Sequence, residues 1–159
     1  MESFDGKLAV VTGGASGMGR ELVLQLAAEG CTVATCDLHT SELAEVAILA
    51  PAGIRVTTHA CDVSDETQVL RFRDEVLRDH ATDHVNLVFN NAGIGGGGSF
   101  IADDRKDWER TFDIDWWGVY NCTRAFLPLL IASDDGYLVN TSSVNGFWAS
   151  LGPGVPHTA

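Results

Sequence analysis

Apolar and polar positions alternate between two regimes along this chain. Short β-branched runs recur between longer stretches of helical period, the pattern of βαβ units wound around a parallel sheet. The first run, Leu8-Ala9-Val10-Val11, is apolar on both faces, as a strand covered from both sides must be. Met18, Leu22 and Leu26 then return every fourth residue, with Val23 and Ala27 widening the stripe, and predict a helix ending near Gly30. Thr32-Val33-Ala34-Thr35-Cys36 predicts a second strand, and 41–49 a helix stopped by Pro51 and Gly53.

A third strand is expected over 54–60. A helix over 65–80 carries Val69, Phe72, Val76 and Leu77 on one face, with Ser64, Thr67 and Gln68 offering capping chemistry at its start. A fourth strand is expected over 85–89. The glycine cluster 93–98, interrupted only by Ile94, favours neither regular structure and predicts a loop. Asp107 opens the longest predicted helix, on which Trp108, Phe112, Trp116, Val119, Thr123, Phe126 and Leu130 trace one face. A fifth strand is expected over 137–141, and 146–159, with Gly152, Pro153, Gly154 and Pro156, reads as loop. The fold class expected is α/β, a Rossmann-type doubly wound parallel sheet with five strands present. The chain shows no internal repeat beyond this alternation and no internal boundary, so 1–159 reads as one nucleotide-binding domain.

A length of 159 residues and a hydrophobic content of 45% suffice for a buried core. The formal charge of −12 sets a field that repels phosphate backbones and anionic lipid, which argues against nucleic acid and membrane partners. Cys31, Cys36, Cys61 and Cys122 form no C-x-x-C pair and no zinc spacing, so no metal is expected and the thiols read as reduced core residues. The acidic N-terminus has no signal-peptide pattern and no apolar stretch reaches bilayer length. A cytoplasmic location is the expectation.

Chemistry enters at Thr12-Gly13-Gly14-Ala15-Ser16-Gly17-Met18-Gly19, directly after the first strand and opening a helix. A diphosphate must approach main-chain N–H groups at the positive end of a helix, so side chains there must be small or absent. Gly13, Gly17 and Gly19 meet that demand, with Ser16 and Met18 between them. Asp37 ends the second strand twenty positions after Gly17, where a carboxylate accepts hydrogen bonds from the adenosine ribose. It repels a 2′-phosphate, and the following Leu38 and His39 supply no arginine to compensate, so NAD is expected in preference to NADP.

With Asp62-Val63 and Asn90-Asn91-Ala92-Gly93 added in order, the T-G-x-x-x-G-x-G pattern resembles the classical short-chain dehydrogenase/reductase family, from about residue 5 onward. The resemblance implies that Asp62 and Val63 line the adenine pocket, that Asn91, Ala92 and Gly93 pass the cofactor ribose, and that Asn90 ties the fourth strand to its neighbours. It implies an NAD-dependent oxidoreductase acting on a small secondary alcohol or ketone, assembled as a homo-oligomer. The substrate-orienting serine corresponds to Ser143, with Ser142 the alternative. Asp115 occupies the place where the family has an asparagine in its proton relay.

The family's Tyr-x-x-x-Lys is not reached: Pro156-His157-Thr158-Ala159 resembles the approach to it, and the only tyrosines are Tyr120 and Tyr137. The chain as written is therefore expected to turn over little substrate, since loss of a positioned acid/base costs roughly 10²- to 10⁴-fold. It also leaves 138–140 an uncovered apolar edge open to pairing with another chain. A non-catalytic NAD-binding module is the competing expectation. Phe147, Trp148 and Ile94 point to an apolar substrate, or simply to core.

Overall fold

The computed structural model describes residues 2–96 and 104–144. Five strands, β1 (Leu8–Thr12), β2 (Thr32–Asp37), β3 (Val56–Ala60), β4 (Leu87–Asn90) and β5 (Tyr137–Asn140), form one sheet in the order β3-β2-β1-β4-β5. Every neighbouring pair is parallel. Helices α1 (Gly17–Ala28), α2 (Thr40–Leu49), α3 (Glu66–His80), α4 (Arg105–Phe112) and α5 (Gly118–Ile131) connect them.

Alternation along β1 builds the two layers. Leu8 and Val10 point into a core shared with Val69, Phe72 and Val76 of α3 and Cys122, Ala125, Phe126 and Leu130 of α5. Ala9 and Val11 point the other way, against Val23, Leu26 and Ala27 of α1 and Val46 of α2. A strand with helices on both faces has no polar side to offer, which is why β1 is buried throughout. The chain winds outward from β1 through β2 to β3, then resumes on the other side with β4 and β5. That reversal opens a crevice beyond the carboxyl ends of β1 and β4, where ligands of doubly wound sheets bind.

Edge strand β3 is tied to α3 by side chains. The Nδ1 of His59 meets Glu75 Oε2 at 3.0 Å, and Thr57 Oγ1 lies 3.1 Å from His59 Nε2 and 2.8 Å from His80 Nε2. These contacts link Glu75, His59, Thr57 and His80 in one polar chain.

Several expectations shift. The third and fourth strands begin at Val56 and Leu87 rather than at 54 and 85, and the fifth ends at Asn140. The cap of α3 is Asp65, whose carboxylate accepts from the N–H groups of Thr67 and Gln68; Ser64 instead donates to Asp62. The long helix does not present the single face expected of it. A π turn, Asp113–Trp117, separates α4 from α5 and shifts the phase, so Phe112 and Trp116 are 40% and 56% exposed while Phe126 and Leu130 are buried. Residues 97–103 and 145–159, including the end of the glycine cluster, Phe147, Trp148 and the terminal loop, lie outside the described residues.

Candidate cofactor site

Thr12, at the end of β1, closes the crevice floor. Its Oγ1 accepts from the N–H groups of Asn91 and Ala92, both at 3.0 Å, and donates to the Phe89 carbonyl at 3.3 Å. Asn91 returns the contact, Nδ2 donating to the Thr12 carbonyl at 3.1 Å. The backbone therefore passes so close that a Cβ on Gly13 would stand 2.8 Å from the Cα of Ala92, at a φ of +72° that already favours glycine. A Cβ on Gly19 would strike the Gly13 carbonyl oxygen and sit 2.6 Å from Asn91 Nδ2. These two glycines serve the packing of the turn against β4. Gly17 differs: its φ is +53° and a Cβ there would meet open space.

The start of α1 is bare. Ser16, the residue before its first turn, makes no side-chain cap, and the first turn holds no acidic residue. Uncapped N–H groups carry a positive partial charge, and the open face of Gly17 gives an anion access to them. The donor set fits a diphosphate.

Asp37 faces this turn from the end of β2. Its Oδ2 accepts from the Ala15 N–H at 3.1 Å, and its Oδ1 accepts from the His39 N–H at 3.1 Å and from His39 Nδ1 at 3.0 Å. The carboxylate is 14% exposed and the imidazole 70%, so Asp37 is fixed and His39 is a surface flap on it.

Asp62 and Val63 form the next wall. Asp62 Oδ1 accepts from the Ser64 N–H at 3.0 Å and hydroxyl at 2.6 Å. The Val63 carbonyl accepts from buried Asn121 of α5 at 3.1 Å. Past β4, Asp115 Oδ1 accepts from the Ile94 N–H at 2.9 Å, holding the first part of the glycine loop. Asn90 ties β4 to its neighbours, Nδ2 donating to Thr123 Oγ1 at 2.9 Å and to Asn140 Oδ1 at 2.8 Å.

Together these segments enclose a cleft of about 330 Å³. Gly13, Ser16, Gly17, Met18 and Gly19 line it, with Asp37 and Leu38 from β2, Asp62 and Val63 after β3, and Asn91, Ala92 and Gly93 after β4. The family described as short chain dehydrogenase matches residues 7–154. The chain belongs to it.

Among relatives of this dehydrogenase chain, a protein named putative oxidoreductase SadH from Mycobacterium tuberculosis is 44% identical over 96% of the chain and 55% of its own length. A short chain dehydrogenase/reductase from Burkholderia phymatum, solved in complex with NAD, superposes with a TM-score of 0.90 at 34% identity, over 99% of this chain and 56% of that one. An alcohol dehydrogenase from Thermococcus sibiricus complexed with 5-hydroxy-NADP gives 0.86 at 27% identity, over 96% and 63%. The dehydrogenase chain thus spans about half the length of the curated relatives it matches.

Six residues line the cleft that motif reading did not assign to the cofactor: Cys36, His39, Cys61, Ile94, Arg110 and Ile114. Cys36 and Cys61 stand one residue before Asp37 and Asp62, and that adjacency was a usable signal. Arg110 and Ile114 come from α4 and the π turn, which no local pattern places here. Cys36 donates its S–H to the sulfur of Cys61; with that bond and burial the Cys36 thiol is held well above its ordinary range, while Cys61 is lowered by the same bond and by Arg71. Arg71 is anchored on the Ala60 carbonyl at 2.8 Å.

Ser143 is half-buried three residues beyond β5, Ser142 is exposed, and neither lines the cleft. Asp115 reaches the site through Ile94 rather than as part of the cleft wall. Tyr120 sits on the outer face of α5, edge-on to Trp117 and bonded through its hydroxyl to Arg124 at 3.1 Å. Tyr137 opens β5, at the end of the strand remote from the cleft. Among the described residues no group of three His, Cys, Asp or Glu could hold a metal ion, and no helix is long and apolar enough to cross a membrane.

Proposed function

We propose that this chain is the nucleotide-binding unit of an NAD-dependent oxidoreductase that interconverts a small secondary alcohol and its ketone. One observation carries the reading: a fixed carboxylate, Asp37, stands at the strand end beside a bare, glycine-lined helix N-terminus and is hydrogen-bonded to that turn through Ala15. Solved relatives complexed with NAD and with an NADP derivative support a nicotinamide cofactor, and the charge of Asp37 favours the form without a 2′-phosphate.

In this reading the main-chain N–H groups of Gly17, Met18 and Gly19 hold the diphosphate. Asp37 accepts from the adenosine ribose hydroxyls, with Leu38 beside it. Asp62 and the Val63 main chain take the adenine, and Asn91, Ala92 and Gly93 pass the second ribose. Bound nicotinamide supplies the site that gives or takes a hydride. Ser143 donates a hydrogen bond to the substrate oxygen, stabilising the charge that grows there. Asp115 keeps the loop at Ile94 in register with the cleft.

Proton transfer is not provided by the tyrosines and lysines of these 159 residues. Tyr120 and Tyr137 stand away from the cleft, Lys7 pairs with Asp135 at 3.4 Å ahead of β1, and Lys106 is exposed in the first turn of α4 and does not line the cleft. The 159 residues alone are therefore read as binding NAD without turnover, which keeps a binding module as the second reading. The exposed Trp116, Trp117, Leu127 and Ile131 support a homo-oligomer built on α5, and we place the protein in the cytoplasm.

Calorimetric titration of the protein with NAD and NADP tests this. NAD should bind at least about tenfold more tightly, a difference of roughly 1.4 kcal/mol, and Asp37→Asn should narrow the gap. Equal or reversed affinities in the unmodified protein overturn the role of Asp37.

A further inference from the structure

Arg110 and Ile114 are one helical turn apart and both line the cleft. One turn further on, Gly118 lies so close to Val63 that a Cβ would stand 2.7 Å from its Cγ2. This segment therefore leaves the Val63 wall at Gly118, and Arg110 lies two turns away from that contact. It is the one lysine or arginine among the described residues lining the cleft, whose other charged side chains are Asp37 and Asp62, with His39 titratable. Arg71, Arg73, Arg78 and Arg105 each pair with a carboxylate, whereas Arg110 is exposed and makes no ion pair with a described residue.

A guanidinium is planar, weakly hydrated and always charged, and it stacks on the flat faces of bases. An unpaired one beside a slot with apolar walls at Val63 and Ile114 has a ready use. We propose that Arg110 folds over the outer face of the cofactor's adenine ring and clamps it against Val63 and Ile114. The proposal rests on the nucleotide reading of the cleft and adds a specificity residue to it.

The test is calorimetry with NAD and AMP on the unmodified protein, Arg110→Ala and Arg110→Lys, at 0.1 M and 0.5 M salt, with melting temperatures confirming that both variants fold. Arg110→Ala should weaken NAD and AMP by a similar factor, about three- to tenfold, at both salt concentrations. Arg110→Lys should restore little, because an ammonium keeps the charge and loses the plane. An affinity within twofold of the unmodified protein overturns the proposal. So does a loss that lysine repairs and 0.5 M salt abolishes, which would assign Arg110 to the phosphates. Failure of the unmodified protein to bind NAD sinks the nucleotide reading itself, and the clamp with it.

Discussion

The carboxylate of Asp115 accepts the main-chain N–H of Ile94 at 2.9 Å, so a residue of the π turn holds the loop that leaves β4. A charged acceptor in such a bond contributes roughly 1.5–3 kcal/mol, less where water reaches it. Asp115→Ala should lower stability by about 1–2 kcal/mol and weaken NAD binding, read by denaturant melts and calorimetry. Asp115→Asn keeps a carbonyl acceptor at the same reach and should cost less than half as much. Equal losses in the two variants would mean that the Ile94 bond is not what the side chain contributes.

Two glycines of the turn between β1 and α1 should fail in different ways. Gly13→Ala forces a side chain into the left-handed region and against Ala92, and should cost roughly 2–4 kcal/mol of stability. Gly17→Ala meets open space, so only backbone strain of about 1–2 kcal/mol is expected, while its methyl group intrudes where the diphosphate would lie. Melting temperature should fall further for the first. Cofactor affinity, compared at a temperature where both remain folded, should fall for the second.

Burial, with the nearby charge of Arg55, lowers the pKa of His80 from 6.5 to about 4. Below pH 6.5 the unfolded chain takes up a proton that the folded chain refuses. The stability due to this group is therefore complete above about pH 6.5 and declines as the pH falls towards 4. Melting temperatures measured from pH 7 to pH 4.5 should drop, and His80→Gln should remove part of that slope. An unchanged slope in the variant would show that other groups set it.

The four thiols should not react alike. Burial raises Cys31 to about 11 and Cys122 to about 12, and Cys36 is raised by donating to Cys61. Cys61, lowered and lining the cleft, should be the first alkylated by iodoacetamide at pH 8, with NAD slowing the reaction. Peptide mapping by mass spectrometry reads the order directly. Labelling of Cys122 ahead of Cys61 would refute it.

The glycine-rich turn between β1 and α1 and the Asp37 strand end that share the cleft were legible in the sequence because both are written in contiguous residues whose spacing is imposed by a single βαβ unit. The strands were legible because burial on both faces leaves an unbroken β-branched run, as at Val10 and Val11. Their boundaries moved because pairing, not propensity, ends a strand: Val85 is buried but bonds to the Leu129 carbonyl instead of entering a ladder. The close packing of Gly13 and Gly19 depends on Asn91 and Ala92, some seventy to eighty residues away. Arg110 had no local signal for the same reason. Trp116 misled, since an aromatic at the right interval reads as core unless the interval itself is broken.

That broken interval constrains how this segment can change. Each residue of an α-helix turns the chain by about 100°, so the wide turn at 113–117 sets a fixed angular offset between the side of α4 that carries Arg110 and the side of α5 that carries Phe126 and Leu130. Removing one residue there would make the two helices continuous and swing one of those sides out of place. Point substitutions in this stretch can be absorbed one at a time, whereas a single-codon deletion would force the protein to surrender either its sheet contact or its cleft wall.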